Sequence, residues 1–377
     1  MKKLKLMVLL CVFISGAAFA GNATMSFKKY LAQKDELKNA VSLYEGSKYP
    51  EALLIFKKLS NKGNPVAQLY FAVCLDYGEG IEKNAARADK IYRAVLPGIA
   101  AFAGKGDDLS QLGFGLMLEK GKGTEKNMLE AVKWYQKAAV QGYAAAQYNL
   151  GVMYYNGRGV KKNYAEAVKW HRKAAIQGDA TAQLSMGVMY TEGTGVEKNY
   201  AEALKWCRKA AEQGDAWGQL SMGVIYTEGT GVEKNDAEAL KWYRKAAEQG
   251  NATAQSMLGR SYEFGKGVEQ SYAEALRWYR KAADQGYALA QNDLGSLYAS
   301  GTGVPQNYGE AMKWCRKAAD QGDSQAEYNV GQMYQFGKGA AKDDAEALKW
   351  YRKAAAQGHP AALAILKKKG WYRTRPV

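Results

Sequence analysis

The chain has 377 residues, of which 47% are hydrophobic and 24% are charged. Its mean hydropathy of −0.43 excludes a protein built mainly from membrane spans. The formal net charge of +16 permits anionic partners without identifying one. Two histidines and four scattered cysteines show no metal-ligand spacing, so we expect no metal and no other cofactor.

The first 20 residues have the pattern of a secretory signal peptide. Three lysines precede an apolar run over residues 6–14, and Ala18-Phe19-Ala20 forms a small-x-small cleavage site. The apolar run is too short to span a bilayer. We therefore expect export through a cleavable signal to the periplasm or the medium, without a transmembrane anchor. The mature chain would begin at Gly21, and loss of the signal lysines would lower its charge from +16 to +13.

Residues 21–50 are predicted to form an N-terminal helical cap. The segment from Leu43 through Ala52 to Phe56 resembles a tetratricopeptide unit more than it resembles the later repeats. Farther on, seven extra residues fall between Val95 and Asp108. Because this stretch contains a proline and several glycines, it is predicted to form a kink or a protruding loop.

From residue 134 onward, tryptophans recur at a strict interval of 36 residues. They are Trp134, Trp170, Trp206, Trp242, Trp278, Trp314 and Trp350. A fixed period of this length is typical of a solenoid, in which each unit packs only on its neighbours. We expect the tryptophans to lie in the core, with Trp242 wedged between the helices of a middle repeat.

Each repeat predicts two helices. Asn163 followed by Glu166 forms a capping box, and the same cap-and-glutamate pattern recurs in all seven tryptophan repeats. The first helix then ends at Gly178, a typical C′ residue. The second helix contains Gly187, and the return of this glycine in six repeats indicates a close approach of backbones. A Gly-x-Gly loop follows the second helix.

These residues resemble the Sel-one-like repeat (SLR) family, which is related to tetratricopeptide repeats. The resemblance covers residues 51–358. It implies an all-α fold, a right-handed α-solenoid of about eight to nine helix-turn-helix repeats, and a role as an adaptor for proteins. Residues 359–377 are predicted to form a C-terminal capping helix and a basic tail.

Three cysteines remain after removal of the signal peptide. Cys207 and Cys315 stand 108 residues apart, which is three repeats. Since adjacent helices are about 8–10 Å apart, this separation far exceeds the reach of a disulfide. We therefore expect packing, without disulfides, to hold the fold.

The second helices are predicted to line a concave groove that binds a protein or peptide, because their outward positions vary between repeats and include aromatic and amide side chains. The candidate binding residues are Tyr148, Asn149, Tyr155, Leu184, Trp217, Leu220, Phe264, Asn292, Tyr328, Gln332 and Phe336. The alternative is that some of these aromatic side chains fold back onto neighbouring repeats. We expect a monomer that acts as an exported protein-interaction scaffold.

The first helices have a basic outer face. Positions equivalent to Lys169, Arg172 and Lys173 are basic at 20 of 21 places, and nearby acids leave an excess of nine positive charges. This pattern fits an ordinary solvated face with pairs three or four residues apart. It also leaves open a binding site for an anionic envelope polymer. Nucleic acid is disfavoured because no base-stacking aromatic side chains lie among these charges.

An enzyme is the third class considered. Cysteine-rich members of the resembled family are associated with β-lactam binding or hydrolysis, but the paired cysteines of each repeat are absent here. His171 takes a position that is Tyr243 or Tyr279 in other repeats, which favours packing over catalysis. We therefore predict no catalytic residue and no enzymatic activity.

Overall fold

The structure is a computed structural model that describes residues 25–370. The predicted signal peptide and the last residues of the predicted basic tail lie outside this range. Within it, the chain forms 20 helices and no strand, which confirms the predicted all-α class. The contacts divide the chain into two compact units, the first ending at Asp179 and the second beginning at Ala180.

The first unit contains a short N-terminal helix followed by eight longer ones. They are α1 (Phe27–Leu31), α2 (Lys34–Glu45), α3 (Tyr49–Asn61), α4 (Pro65–Tyr77), α5 (Ala85–Gly104), α6 (Asp108–Lys120), α7 (Met128–Val140), α8 (Ala144–Asn156) and α9 (Tyr164–Ile176). The predicted boundary at residue 51 falls inside α3. From α2 to α9, each helix packs against the next, so the core of this unit grows along the chain.

The second unit repeats one helix length almost throughout. Its helices are α10 (Ala180–Glu192), α11 (Tyr200–Glu212), α12 (Ala216–Glu228), α13 (Asp236–Glu248), α14 (Ala252–Phe264), α15 (Tyr272–Asp284), α16 (Ala288–Ser300), α17 (Tyr308–Asp320), α18 (Ser324–Phe336), α19 (Asp344–Ala356) and α20 (Pro360–Lys368). Along the chain, odd-numbered first helices from α3 alternate with even-numbered second helices, giving an α-solenoid. The helix predicted after residue 359 is α20.

The insertion before residue 108 is helical. The prediction of a kink or a protruding loop is wrong, because α5 runs for 20 residues where the later first helices have 13. Pro97 lies inside this helix, and Ile99 beyond it is fully buried. The seven extra residues therefore add two turns of helix and bury further apolar surface in the first unit.

Half of each predicted capping box is present. Asn163 Oδ1 accepts from the Glu166 backbone N–H at 3.1 Å, as expected for an N-cap. The reciprocal bond from the glutamate is replaced, because the Asn163 N–H donates to the Tyr154 carbonyl at 2.9 Å. The Glu166 carboxylate instead lies 3.1 Å from Lys169 Nζ. The N-cap residue thus fixes the loop that leaves the preceding helix as well as the start of the helix that it caps.

The tryptophan period describes the core only in part. Five of the seven repeat tryptophans are buried: Trp170, Trp206, Trp278, Trp314 and Trp350. Trp134 and Trp242 are half-buried. Trp242 packs against a core cluster formed by residues of α11 and α12, so it contacts the core as expected but is less enclosed than the other five. The residue that follows each tryptophan is more deeply buried than the tryptophan itself: Tyr135, Tyr279 and Tyr351, for example, are fully buried.

That buried residue explains the recurrent glycine of the second helix. A Cβ atom added to Gly259 would lie 2.7 Å from Cδ1 of Tyr279, well inside van der Waals contact. Gly331 stands in the same relation to Tyr351, at 2.8 Å. The glycine therefore lets the second helix approach the next first helix closely, as the sequence predicted. The side chain it faces is a buried ring in most repeats and a cysteine, Cys207 or Cys315, in two.

Glutamine side chains join neighbouring repeats. Gln249 Nε2 donates to Gln219 Oε1 at 2.7 Å, and Gln219 Nε2 donates to the Ala211 carbonyl. The same 30-residue pairing recurs at Gln141–Gln111, Gln177–Gln147, Gln213–Gln183, Gln285–Gln255 and Gln321–Gln291. In the last repeat Glu327 is the acceptor from Gln357, and burial raises the pKa of its carboxyl group.

Cys74, Cys207 and Cys315 are buried free thiols, which confirms that packing without disulfides holds the described residues. None of the described helices has the length and apolar character needed to cross a membrane.

Candidate protein-binding surfaces

The second helices have one face that is turned away from the sides that contact the two neighbouring first helices. In a 13-residue second helix such as α14, residue 4 is Gln255, which donates to its own first helix at Ala247. Residue 8 is Gly259, which faces Tyr279 of the next first helix. Helical periodicity then places residues 2, 6, 9 and 13 together on the remaining side. We call these four positions the open face.

In the second unit the open face exposes large apolar side chains. Trp217 at position 2 of α12 and Phe264 at position 13 of α14 are each 57% exposed, and Phe336 at position 13 of α18 is 61% exposed. Val188 and Leu289 occupy the same face and are also exposed. Exposed apolar side chains gathered on one side of a repeat array are typical of a protein-binding surface.

Five predicted site residues occupy position 5 of their helices, one residue away from the open face. They are Tyr148, Leu184, Leu220, Asn292 and Tyr328. Helical rotation turns this position toward the next first helix, so its side chains are wholly or partly covered. Predicting all five as outward residues was an error of one position in the helical register.

The most covered members of this set are Leu220 and Asn292, each only 7% exposed. Leu220 packs in a core cluster with Leu240 and Trp278. Asn292 Oδ1 accepts from Asn329 Nδ2 at 2.8 Å, a bond between two neighbouring second helices. The prediction that Leu220 and Asn292 contribute to a binding surface is therefore wrong.

The tyrosines at position 5 are held by rings of the next helices. The Tyr148 ring centroid lies 5.3 Å from that of His171, and Tyr328 stacks on His359 at 4.7 Å. Gln332 Nε2 also donates to the Tyr328 hydroxyl at 2.9 Å. Both tyrosines are half-buried and contribute to packing between repeats, which matches the alternative considered from the sequence.

The remaining predicted residues divide between the two sides. Asn149 at position 6 and Gln332 at position 9 lie on the open face and are half-buried. Tyr155 at position 12 packs edge-on against Tyr164 of the next first helix, with ring centroids 5.2 Å apart. The open face thus keeps Asn149, Gln332 and the three exposed aromatic residues of the predicted set.

Charged residues interrupt the apolar open face on α14 and α16. Arg260 at position 9 of α14 is exposed, and Asp293 at position 6 of α16 is half-buried. Burial raises the pKa of Asp293 to about 6; nearby Arg260 opposes this shift, and Glu263 adds to it. A ligand on this face would therefore meet both charges beside the exposed rings.

The first unit contains a pocket of about 260 Å³ that the sequence analysis did not identify. Its walls come from α2, α4, α5, α6 and α8, and include Tyr44, Tyr70, Tyr77, Leu116 and Asn149. Only Asn149 was among the predicted residues. Most of the other wall residues come from α2, α4 and α6, which precede the first repeat tryptophan, Trp134, so the tryptophan period gives no guide to which of their side chains face inward.

The basic outer face of the first helices is largely paired within the protein. Lys205 lies 3.3 Å from Glu202, and the equivalent pair recurs in all seven tryptophan repeats. Arg244 donates to the Tyr262 hydroxyl at 2.7 Å. At the position equivalent to Lys173, Lys245 lies 4.3 Å from the centroid of the Trp242 ring, and the same lysine–tryptophan contact occurs in all seven tryptophan repeats. These contacts favour the interpretation as a solvated structural face.

The buried titratable groups show no chemistry beyond packing. His171 is 2% exposed beneath Gly151, and burial lowers its pKa to about 4. Burial raises the pKa of Cys207 to about 11, which keeps its thiol protonated at neutral pH. Over residues 25–370, no three side chains of the types that bind metals form a cluster.

The stacked helix pairs define the chain as a repeat protein of the Sel1 class. Eight segments match the Sel1 repeat: residues 65–90, 109–143, 144–179, 180–215, 218–251, 252–287, 288–323 and 324–359. Because these segments cover well over half of the chain, the protein belongs to the Sel1 repeat family. The match begins at α4, so the helices before it lie outside the family pattern.

Two solved structures illustrate the likeness. One is c5321, described as a protective antigen of uropathogenic Escherichia coli strains with an SLR fold; it is 37% identical over 86% of this chain and 68% of its own, with a TM-score of 0.63. The other, a Sel1 repeat protein from Oxalobacter formigenes, is 36% identical over 67% of this chain and 96% of its own, with a TM-score of 0.58. Among curated proteins, no sequence matches this chain significantly.

Sel1 repeat proteins are generally protein-interaction scaffolds and are typically non-catalytic.

Proposed function

We propose that this protein is an exported, monomeric scaffold that binds a protein or peptide partner on the open face of its second helices. The observation that carries the proposal is the exposure of Trp217, Phe264 and Phe336 on that face. Burying such rings against a partner would remove apolar surface from water, which stabilises the complex by about 25 cal/mol for each Å² buried. Large aromatic side chains are also the residues in which binding energy concentrates.

Export is proposed from the sequence of residues 1–20. The lysine-rich start, the short apolar run and the Ala18-Phe19-Ala20 site support cleavage before Gly21. The three free thiols are all buried, which is compatible with an oxidising compartment because buried cysteines are poorly reactive. Fractionation of cells and N-terminal sequencing of the mature chain test this part of the proposal.

The binding proposal is tested by partner capture with matched variants. The mature chain is immobilised and exposed to envelope extract, and the captured proteins are quantified for the unmodified chain and for a Trp217→Ala, Phe264→Ala double variant. A fall in capture of more than tenfold is expected, with helicity and melting unchanged. The control is Ile176→Ala, which removes a side chain that is 70% exposed on a first helix.

The same assay separates protein binding from binding of an anionic polymer. A triple Gln variant at Arg208, Arg244 and Arg280 removes three charges from the first helices without touching the open face. If the basic face were the binding surface, this variant and moderate salt would both abolish capture. We expect capture to persist in both cases, because those arginines already bond to tyrosine hydroxyls of their own repeats.

A further inference from the structure

The pocket of the first unit has walls and a volume that suit one large aromatic side chain of a ligand. Four tyrosines and several aliphatic residues form its walls, and its volume of about 260 Å³ is below the range typical of drug-sized ligands. A space of this size suits one large side chain of a longer ligand. The Tyr44 and Tyr70 rings meet edge-on at 5.6 Å, so the walls already have the geometry in which aromatic rings pack.

The pocket also has an unbalanced charge. Lys120 lies 3.0 Å from Glu119, and Lys122 lies 2.6 Å from Asp76, so both wall lysines are paired. Glu45, the remaining charged wall residue, makes no ion pair or side-chain hydrogen bond within the described residues. A cation bound here would therefore meet an uncompensated carboxylate.

The surroundings of Glu45 favour the neutral form of its carboxyl group when no ligand is bound, and a bound cation would favour the carboxylate form. Its side chain reaches solvent, but the helices around it remove part of its hydration, and the Asp179 carboxylate adds negative potential; together they raise its pKa to about 7. Tyr77, 58% exposed on the pocket wall, offers an aromatic face that can also hold a cation.

We infer that this pocket binds a peptide segment in which a large aromatic side chain is flanked by arginine or lysine. The aromatic side chain would enter the tyrosine-lined space, and the neighbouring basic side chain would pair with Glu45. This inference deepens the proposed function, since it names the chemistry of a partner peptide. It concerns a surface of the first unit, separate from the exposed aromatic residues of the second.

The test uses three blocked pentapeptides titrated into the full mature chain by calorimetry and saturation-transfer NMR. Their central sequences are Arg-Trp-Arg, Glu-Trp-Glu and Arg-Ala-Arg, each with glycine at both ends. The first is expected to bind at least tenfold more tightly than either of the others. Equal affinity of the three peptides, or no detectable binding of the first, would overturn the inference.

Two exposed substitutions locate the binding site without disturbing the core. Glu45→Gln should weaken the Arg-Trp-Arg peptide threefold or more and leave Glu-Trp-Glu no weaker, and Tyr77→Ala should also reduce affinity. The matched control is Glu51→Gln, which replaces an exposed carboxylate on α3 away from the pocket and should have no effect.

Phe264→Ala should also leave peptide affinity unchanged, so failure of this inference is distinguishable from failure of the open-face proposal. Binding that is indifferent to Glu45→Gln would contradict the inference.

Discussion

The close approach of second helices to buried rings makes a sharp prediction about two glycines of the second unit. Gly259→Ala should destabilise the protein, and Gly309→Ala should stabilise it, although both replace a helical glycine by the best helix former. At each site the intrinsic helix propensity gains about 1 kcal/mol. Gly259 is buried in the middle of α14, and Gly309 is exposed in the first turn of α17, so the two sites differ most in what the new methyl group meets.

At Gly259 the methyl group meets a ring that cannot yield. Tyr279 is fully buried, and its hydroxyl donates to Glu263 at 2.5 Å, which fixes the ring on the far side. Overpacking of this kind costs about 1–3 kcal/mol. Because the added methyl group would lie far inside van der Waals contact, we expect the upper part of this range, and a net loss of up to about 2 kcal/mol after the propensity gain. At Gly309 the methyl group would meet only Asn307 Oδ1, at 3.3 Å. The equivalent residue of the preceding repeat is already an alanine, Ala273.

The assay is urea unfolding of both variants followed by circular dichroism, with amide hydrogen exchange of α14 and α17 to localise the change. Local exchange is needed because repeat arrays unfold in segments rather than as one unit. The reasoning is refuted if the two variants shift stability in the same direction. It is also refuted if Gly259→Ala leaves exchange in α14 unchanged.

Three further predictions concern buried side chains. Burial lowers the pKa of His171 to about 4, so the unfolded chain takes up its proton first as the pH falls, and the free energy of unfolding should decrease by up to about 3 kcal/mol between pH 6.5 and 4. His171→Tyr should abolish this decrease, which urea unfolding at several pH values measures. Glu327→Gln should stabilise the chain increasingly as pH rises, because its raised pKa makes the ionised form unfavourable in the fold; thermal melts at pH 5 and 8 should diverge. Trp206→Ala should cost about 3–5 kcal/mol in urea, and Trp242→Ala clearly less, since only Trp206 is fully enclosed.

The repeat architecture could be predicted from the sequence because its signals are local and repeated. A cap residue, a C′ glycine and a mid-helix glycine return every 36 residues, so each element is supported many times over. The glycine at position 8 even indicated the close packing that Tyr279 now explains. Where the period is broken, this support is lost, and the insertion that lengthens α5 was predicted as a loop because of Pro97 and its glycines.

The candidate site was harder to predict because it depends on helical register. A shift of one residue moves a side chain by about 100° around the helix, which separates half-buried Tyr328 from its neighbour Asn329 on the open face. Variation between repeats identified the correct helix but did not distinguish these two positions. The pocket around Glu45 brings together five helices, of which only α2 lies before the repeat match, and no local pattern in the sequence reports such a convergence.

The most direct measurement of the central claim is photo-crosslinking in living cells. A benzoylphenylalanine is introduced at Phe264 or at Phe336, both exposed on the open face, and in a separate control chain at Ile176 on a first helix. The account predicts discrete protein adducts from Phe264 and Phe336 and none from Ile176. Adducts from Ile176 alone, or no protein adduct from either open-face position, would contradict the claim that the second helices form the binding surface.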